Sequence, residues 1–217
     1  GYDTPPTGNA NYAWILHMLA KLSQNGTAGF VLANGAMSTN TKGEGAIRQK
    51  LVENDLVDCM IALPGQLFFT TQIPVCLWFL SKNKQGDPQR GHRNRENQTL
   101  FIDARKIGSM ISRTQKELSP EDISGIAKTY HDWRSESGDT YEDIAGYCKS
   151  ATLEEIQKHD YVLTPGRYVG AAPIEDDGIP FETKMTELSQ TLYAQMEESN
   201  QLDAGIRKNL KALGYGE

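Results

Sequence analysis

The sequence predicts an α/β fold whose sheet ends in an antiparallel pair of strands, followed by a helical C-terminal extension. Helical periodicity and short apolar runs alternate through the first 80 residues, which is typical of α/β folds. The loop at residues 64–72 separates two of these runs and is shorter than the roughly dozen residues that a parallel crossover needs. The last segment repeats apolar residues at intervals of three and four, which predicts a long helix.

The first half of the chain is predicted to contain two helices and four strands. The helices are expected at residues 11–22 and 45–54, where apolar side chains repeat on one face. Continuous apolar runs predict buried strands at residues 28–33, 56–63 and 73–80, and a short strand is expected at 99–102. The alternation of helices and strands favours parallel pairing, except for the second and third strands, which should be antiparallel neighbours.

Helix-capping residues locate the elements of the second half. Ser119, followed by a proline and two acids, predicts a helix that runs to about Trp133. Thr152 and Glu155 form a capping-box pattern for a short helix, and an extended segment with a turn at Pro165 follows.

The long terminal helix is predicted at about residues 180–213. At 1.5 Å per residue it would extend about 50 Å. Its narrow apolar stripe favours binding to a partner helix, while packing against its own domain is the alternative. The residues of the stripe are Phe181, Met185, Leu188, Leu192, Met196, Leu202, Ile206, Leu210 and Leu213.

Composition and charge limit the functional classes. The chain of 217 residues carries 22 Lys and Arg against 28 Asp and Glu, a net charge of -6, which argues against a general nucleic-acid coat or a polybasic membrane binder. A local basic groove remains compatible with this balance. The polar segment 81–98 is predicted to be a solvated loop, although the basic residues within 82–95 could instead contact phosphates.

Cysteines, histidines and apolar runs further limit the setting. Three cysteines without a Cys-x-x-Cys pair indicate buried reduced thiols in a cytoplasmic protein. Four histidines without ligand spacing predict no metal site. No apolar run approaches the roughly 20 residues needed to span a bilayer, so no membrane association is expected.

The candidate ligand-binding segment is the loop LPGQLFFTTQIP at residues 63–74. Ligands of α/β sheets bind beyond the carboxyl ends of the parallel strands, and this loop leaves that end. Its aromatic and hydroxyl side chains are candidate pocket residues: Phe68, Phe69, Thr70 and Thr71. Either ring could belong to the core, but successive extended residues point in opposite directions, so both cannot easily be buried on one side. An exposed aromatic ring there could stack on a planar base.

Several sequence blocks resemble the modification subunit of type I restriction–modification systems. The blocks are GNANYAW at residues 8–14, GFVLANG at 29–35, LPGQLFFTTQIPVCLWFL at 63–80, FIDAR at 101–105 and KHDYVLTPGRY at 158–168. Members of that family are adenine-N6 DNA methyltransferases that use S-adenosylmethionine. The resemblance implies that residues 1–105 are the C-terminal half of a class I, Rossmann-like methyltransferase sheet, and that residues 106–217 are the helical C-terminal extension.

The resemblance also implies roles for individual residues. The family's cofactor loop and its Asn-Pro-Pro-Phe catalytic motif lie upstream of GNANYAW and do not occur here, so the chain is expected to be inactive alone and to contain no catalytic residue. Phe68, or as second choice Phe69, would stack on the flipped base. Tyr12 and Ile15 would line the pocket, and Asn34 either faces the same cleft or simply forms a turn.

The resemblance implies DNA, a specificity subunit, a second modification subunit and a restriction subunit as partners. Because a specificity subunit reads the DNA sequence in such systems, an acidic modification subunit need not bind DNA tightly by itself. The terminal helix is the candidate docking element for the specificity subunit. The alternative function is accordingly a non-catalytic assembly module that binds this subunit through the helix.

Overall fold

The computed structural model describes residues 1–136, 141–172 and 180–215, in two units that comprise residues 1–173 and 174–217. The helices are α1 (Asn11–Lys21), α2 (Glu44–Glu53), α3 (Pro120–Arg134), α4 (Leu153–Lys158) and α5 (Phe181–Ala212). The strands are β1 (Thr27–Ala33), β2 (Val57–Ala62), β3 (Val75–Ser81), β4 (Gln98–Asp103), β5 (Ser109–Met110), β6 (Lys116–Glu117) and β7 (Cys148–Thr152). The second unit contains α5. The domain boundary expected near residue 105 stays a prediction.

The main sheet of the first unit has the strand order β1-β3-β2-β4-β7. β3 is antiparallel to β2, which confirms the pairing predicted from the short loop between them. β3 is also antiparallel to β1, so β1 and β2 run in the same direction with β3 between them. β2 is parallel to β4, and β7 joins β4 in the antiparallel sense. The sequence therefore indicated the common direction of β1 and β2, but these strands are not paired with each other. The expectation that the sheet ends in the β2–β3 pair was wrong, because β1 pairs with the other side of β3 and because β4 and β7 extend the sheet beyond β2.

Helices cover both faces of this sheet. Alternate residues of β2 and β3 enter opposite cores, as the two-residue period of a strand requires. Met60 and Trp78 pack in the core that contains α1 and α2, whereas Ile61 and Val75 pack in the core that contains Trp133 of α3. All six residues of β2 are buried, which explains why its sequence is apolar almost throughout.

The predicted N-caps of α3 and α4 are both present, and the structure shows a capping box at each of the two helices. The Ser119 side chain accepts a hydrogen bond from the Asp122 amide, and Asp122 accepts one from the Ser119 amide. Thr152 and Glu155 make the same reciprocal pair at α4. Each cap satisfies amides that the first helical turn leaves unpaired, and it stabilises the helix by about 1 kcal/mol. The helix starts are therefore determined by local sequence.

The expectation of a solvated loop at residues 81–98 was wrong for two of its basic residues. Lys84 and Arg95 are buried, with side-chain exposures of 1% and 2%. The Lys84 ammonium lies 2.6 Å from Asp55 Oδ1, and Arg95 Nε lies 3.2 Å from Asp58 Oδ1. Asp58 is fully buried in β2, and a buried carboxylate is strongly destabilising without a cation beside it. The loop folds back over the sheet to supply these cations.

The long helix α5 agrees closely with its predicted bounds. It has 32 residues, and none of them is buried. At 1.5 Å per residue it is about 48 Å long. Its apolar stripe is exposed along the whole helix. No helix among the described residues has the length and apolar character required to cross a membrane.

Candidate functional site

The carboxyl ends of three strands lie side by side along one edge of the main sheet, the edge at which these strands end. Because β1, β2 and β4 run in the same direction, Ala33, Ala62 and Asp103 all end at this edge. The Asn34 amide donates to the Pro74 carbonyl at 3.4 Å, and the Ala104 amide donates to the Ala62 carbonyl at 2.9 Å. The segments that leave the three strands are thus connected where ligands of α/β sheets bind.

The loop from Leu63 to Pro74 has a closed base at this edge. The Leu63 amide donates to the Val75 carbonyl at 2.8 Å, and the Gln66 amide donates to the Gln72 carbonyl at 3.2 Å. A Cβ atom at Gly65 would lie 2.6 Å from the Gln72 carbonyl oxygen, so the two sides approach this closely only because residue 65 is glycine. The hydrogen bonds hold the loop tip at a defined distance from the sheet.

The tip of the loop presents the two aromatic rings to solvent. Phe68 and Thr71 form an antiparallel bridge, with Phe69 and Thr70 between them at the turn. The exposed fraction is 43% for Phe68 and 91% for Phe69, so neither ring is a core residue in this structure. The Thr71 hydroxyl accepts a hydrogen bond from the Ile73 amide at 3.3 Å, while Thr70 is exposed. The two neighbouring exposed phenylalanines form a small apolar patch, and a ligand contact at this patch stays a prediction.

The three remaining candidate residues differ in their surroundings. Tyr12 and Ile15 are completely buried in the core. The Tyr12 hydroxyl donates to the Ala36 carbonyl at 2.7 Å, and burial raises the pKa of Tyr12 to about 12. Asn34 lies at the sheet edge, and its Oδ1 atom is buried without a hydrogen-bond partner among the described residues. Pocket contacts by these three residues stay predictions, and Asn34 has the unsatisfied acceptor that such a contact requires.

A cleft of about 500 Å³ opens beside the end of β4. The Arg105 guanidinium donates from Nε to Asp103 Oδ1 at 2.8 Å and from Nη2 to Oδ2 at 2.6 Å. Partial burial raises the pKa of the Asp103 carboxyl, but the hydrogen bonds from Arg105 outweigh this effect, and the pKa lies below its ordinary value. The cleft is lined by Asp103, Arg105, Lys106, Gly146, Gly166, Gly170, Ala171 and Ala172.

The small hairpin of β5 and β6 adjoins the loop at residues 63–74. Its Lys116 amide donates to the Gln66 carbonyl at 2.9 Å. No known motif marks this hairpin, so motif searches miss it. The sequence does contain a signal, because no Asp or Glu occurs from Ala104 to Lys116 in an otherwise acidic chain.

Metal-ligating side chains do not cluster among the described residues. No group of three or more His, Cys, Asp and Glu side chains in residues 1–136, 141–172 and 180–215 is placed to hold a metal ion. S-adenosylmethionine carries a charged amino-acid group and an adenosine, which require several polar partners. Near the end of β1 the structure offers the unsatisfied Asn34 acceptor, while Tyr12 and Ile15 are enclosed in the core. These residues alone do not fit the cofactor.

Comparisons with known proteins show that this chain is similar to DNA methylases. Residues 1–177 match the family described as N-6 DNA Methylase. The chain is 52% identical over 214 residues to the type I restriction enzyme HindI methylase subunit of Haemophilus influenzae, covering 99% of this chain and 46% of that protein. It is 44% identical to the type I restriction enzyme MjaIX methylase subunit of Methanocaldococcus jannaschii, covering 97% of this chain and 36% of that protein.

A solved structure gives the same result. The methyltransferase subunit of a type I restriction-modification system from Streptococcus thermophilus superposes with a TM-score of 0.65 at 30% identity. The match covers 78% of this chain and 32% of that subunit. The chain thus spans less than half the length of these three similar proteins.

Proposed function

Because this chain belongs to the N-6 DNA methylase family, we propose that it forms part of an adenine-specific DNA methyltransferase subunit of a type I restriction–modification system. The whole subunit would transfer a methyl group from S-adenosylmethionine to N6 of adenine in DNA. The high identity to type I methylase subunits over almost the entire chain supports this proposal. Three free, buried cysteines agree with a reducing cytoplasmic setting.

The sheet of this chain would supply the second half of a class I methyltransferase sheet. The order β1-β3-β2, with an antiparallel strand between two strands of common direction, supports this assignment. In the whole subunit the carboxyl ends of β1 and β2 would then face the reaction site. The loop at residues 63–74 leaves the sheet at that place.

We assign the flipped adenine to the tip of this loop. An enzyme that acts on a base inside a duplex must rotate the base out of the stack and hold it, and aromatic rings provide a suitable platform. The observation that carries the proposal is the exposure of Phe69, and to a lesser extent Phe68, at the ligand-binding edge of the sheet. The greater exposure favours Phe69, whereas the sequence resemblance favoured Phe68.

The contribution of this chain to catalysis would be orientation. Methyl transfer to an amino nitrogen depends mainly on the alignment of the reacting atoms, which can account for several kcal/mol of rate acceleration. A ring held on a closed loop restricts the base to one plane. Thr70, exposed beside the rings, could donate or accept a hydrogen bond at the edge of the base.

The stacking role is tested in the full-length subunit with Phe68→Ala and Phe69→Ala. Loss of a base–aromatic contact of about 1–3 kcal/mol corresponds to a decrease in methylation of roughly 5- to 150-fold. The measurement is methyl transfer to a DNA duplex per folded molecule, with folding checked by thermal unfolding. Ile73→Ala is the matched control, because Ile73 is an exposed apolar residue of the same loop.

The outcome that contradicts the stacking role is equally defined. If both phenylalanine variants methylate DNA as the Ile73→Ala control does, the rings do not hold the base. If their unfolding temperatures decrease and the activity per folded molecule is retained, the rings are structural.

The 217-residue chain alone is expected neither to bind S-adenosylmethionine nor to transfer methyl groups, and measurable methylation by it would disprove this part of the proposal.

A second candidate function rests on α5. No residue of this helix is buried, and its apolar stripe is therefore available to a partner helix. We propose that α5 docks a specificity subunit, in an assembly that also contains a second modification subunit and a restriction subunit. If the chain lacks any catalytic role, it would still act as an assembly module through this helix.

A pull-down with the specificity subunit tests the docking role. Changing Leu188, Leu192 and Ile206 to Gln should abolish binding, because it removes the apolar surface that drives association. The control changes Gln190 and Glu197 to Ala, which lie away from the stripe and are exposed. Equal binding by both variants would remove α5 from the interface.

A further inference from the structure

A group of basic side chains lies along the same sheet edge as the exposed phenylalanines. Arg105, Lys106, Arg113 and Lys116 occur within 13 residues that contain no Asp or Glu, although the chain as a whole carries a net charge of -6. We refer to these four residues as the basic edge. A local concentration of one sign of charge in a chain of opposite net charge creates a local field that attracts a specific partner.

Backbone hydrogen bonds connect the basic edge to the loop at residues 63–74. Arg105 and Lys106 lie shortly after β4, from which Ala104 separates them, and they line the cleft at its end. Arg113 lies in the turn of the β5–β6 hairpin, and Lys116 on β6 donates its amide to the Gln66 carbonyl at 2.9 Å. The hairpin that carries Arg113 and Lys116 is therefore attached to the loop that carries Phe68 and Phe69, and Lys106 follows the neighbouring strand end.

The hairpin that carries Arg113 is held by its own hydrogen bonds. The Ile111 amide donates to the Gln115 carbonyl at 3.0 Å, and the Ser112 hydroxyl accepts from the Gln115 amide at 3.1 Å. Met110 and Ile111 are nevertheless about half exposed, so the hairpin projects from the core. A structured projecting hairpin loses little conformational entropy when it contacts a partner.

Two charges of the basic edge are available to a partner. Arg105 is paired with Asp103, and the Lys116 ammonium donates to the Ile107 carbonyl at 3.3 Å. Lys106 and Arg113 are exposed, and neither forms an ion pair with a carboxylate among the described residues. Unpaired surface cations close to a candidate base-binding loop are suited to phosphate groups.

We propose that Lys106 and Arg113 contact backbone phosphates of the DNA strand that flanks the flipped adenine. This inference rests on the proposed function, since it takes DNA as the substrate of the same edge. Phosphate contacts fix the position of a protein on DNA without reading its sequence. The basic edge would thus position the strand, while the phenylalanine rings hold the base.

The test measures how DNA affinity depends on salt for the 217-residue chain. The probe is a fluorescently labelled DNA duplex of about 20 base pairs, and the binding constant K is measured at salt concentrations between about 50 and 200 mM. Each phosphate contact increases the magnitude of the slope of log K against log salt by about 0.9. The Lys106→Gln, Arg113→Gln double variant should bind more weakly and should lower this slope by about 2. Lys21→Gln is the matched control, because Lys21 is exposed at the end of α1 and the segment after it leads to the amino end of β1, away from the basic edge. This substitution should leave the slope unchanged.

Two outcomes would overturn the proposal. The first is an equal slope for the double variant and the unchanged chain, and the second is no measurable binding of the unchanged chain at the lowest salt concentration. Thermal unfolding of each variant checks that the exposed substitutions leave the fold intact. A decrease in binding that is equal in the double variant and in Lys21→Gln would indicate general charge attraction and would also contradict the assignment.

The result can be separated from a failure of the proposed function. If the full-length subunit does not methylate adenine but the slope still falls in the double variant, the basic edge binds DNA in a protein of another activity. If the subunit methylates DNA and the slope does not change, the DNA contacts lie elsewhere. Each proposal therefore has its own readout.

Discussion

At the scale of single residues, Asp58 organises the buried charge of the sheet. Its carboxylate lies 3.2 Å from Arg95 Nε and accepts a hydrogen bond of 2.6 Å from the Tyr130 hydroxyl. The Arg95 guanidinium also lies over the Trp133 ring, 5.6 Å from its centroid. Burial and the adjacent Asp58 carboxylate raise the pKa of Tyr130, which therefore stays protonated as the donor. The network links β2, the loop before β4 and α3.

We predict that Asp58→Ala reduces the free energy of unfolding by about 3–5 kcal/mol, because it leaves the Arg95 charge buried without a counter-ion. Chemical denaturation measures the loss. The control is Asp3→Ala, which removes an exposed ion pair with Lys50 and should cost less than about 1 kcal/mol. Similar losses in both variants would show that the buried pair contributes no more than a surface pair.

Gly166 leaves the space in which the Asp103–Arg105 pair forms. A Cβ atom at this position would lie 2.7 Å from Arg105 Nη2 and 3.3 Å from Asp103 Oδ2. We predict that Gly166→Ala displaces the guanidinium and that the pKa of Asp103 rises toward its ordinary value, which carboxyl NMR titration can measure. Gly125→Ala is the control, because a Cβ atom there meets no other atom within 4 Å. An unchanged Asp103 pKa in Gly166→Ala would contradict the prediction.

The same pair makes a small, pH-dependent contribution to stability. Because the pKa of Asp103 is lower in the folded chain than in the unfolded chain, its contribution is present above the unfolded value and is lost as the pH falls through the folded value. Arg105 is half exposed, and solvent screening keeps the contribution below about 1 kcal/mol. The contribution should be absent from Gly166→Ala.

Among the larger elements, the segment before β4 has a polar sequence but is held in place by buried charged side chains. Lys84 donates to the carbonyls of Val57 and Gln98 as well as to Asp55, so it connects the starts of β2 and β4. Burial lowers the pKa of Lys84, while the Asp55 carboxylate opposes this shift. Nothing in the spacing of the charges indicates which lysine turns inward, because its partners lie in other segments, namely before β2 at Asp55, in β2 at Val57 and in β4 at Gln98.

Limited trypsin digestion should distinguish the exposed basic residues of this segment from the buried ones. Arg90 has a side-chain exposure of 66% and lies at a short turn, whereas Lys84 and Arg95 are buried. We predict that the folded chain is cleaved after Arg90 well before it is cleaved after Lys84 or Arg95, since proteases need an exposed, locally unfolded backbone. Mass spectrometry of the early fragments gives the order. Early cleavage after Lys84 would show that the segment is open in solution.

The starts of α3 and α4 could be predicted from the sequence, whereas β5, β6 and β7 could not. Ser119 and Thr152 mark helix starts because their caps involve residues three positions away. β7 has the sequence CKSAT, with no apolar alternation, and forms because β4 provides an unpaired edge. The β5–β6 hairpin has two-residue strands, which are too short for any periodicity.

At the scale of the whole molecule, the three cysteines report on the integrity of both cores. Cys76 lies in the core with α1 and α2, whereas Cys59 and Cys148 lie in the core with α3, and all three are free thiols. Burial raises the pKa of Cys76 to about 11 and raises that of Cys59 well above its ordinary value. The thiolate is the reactive form, so the folded chain should contain almost none of it at neutral pH.

We therefore predict that a thiol reagent at neutral pH labels these cysteines only as fast as the chain unfolds. Full labelling should follow rapidly in denaturant, which is the positive control. Asp58→Ala should accelerate labelling of Cys59 and Cys148, since it weakens the sheet next to them. Rapid stoichiometric labelling of the unchanged native chain would disprove the burial of the thiols.

Local sequence patterns were enough to locate the main helices and strands, the antiparallel pairing of β2 with β3, and the loop that carries Phe68 and Phe69. These features depend on residues that are close in the chain: periodicity, caps and a connection too short for a crossover. Three features became visible only in the folded chain: β3 lies between β1 and β2, Lys84 and Arg95 are buried, and the β5–β6 hairpin contacts the loop that carries the exposed rings. The physical reason is that strand order and charge burial depend on contacts between distant segments, which no local pattern encodes.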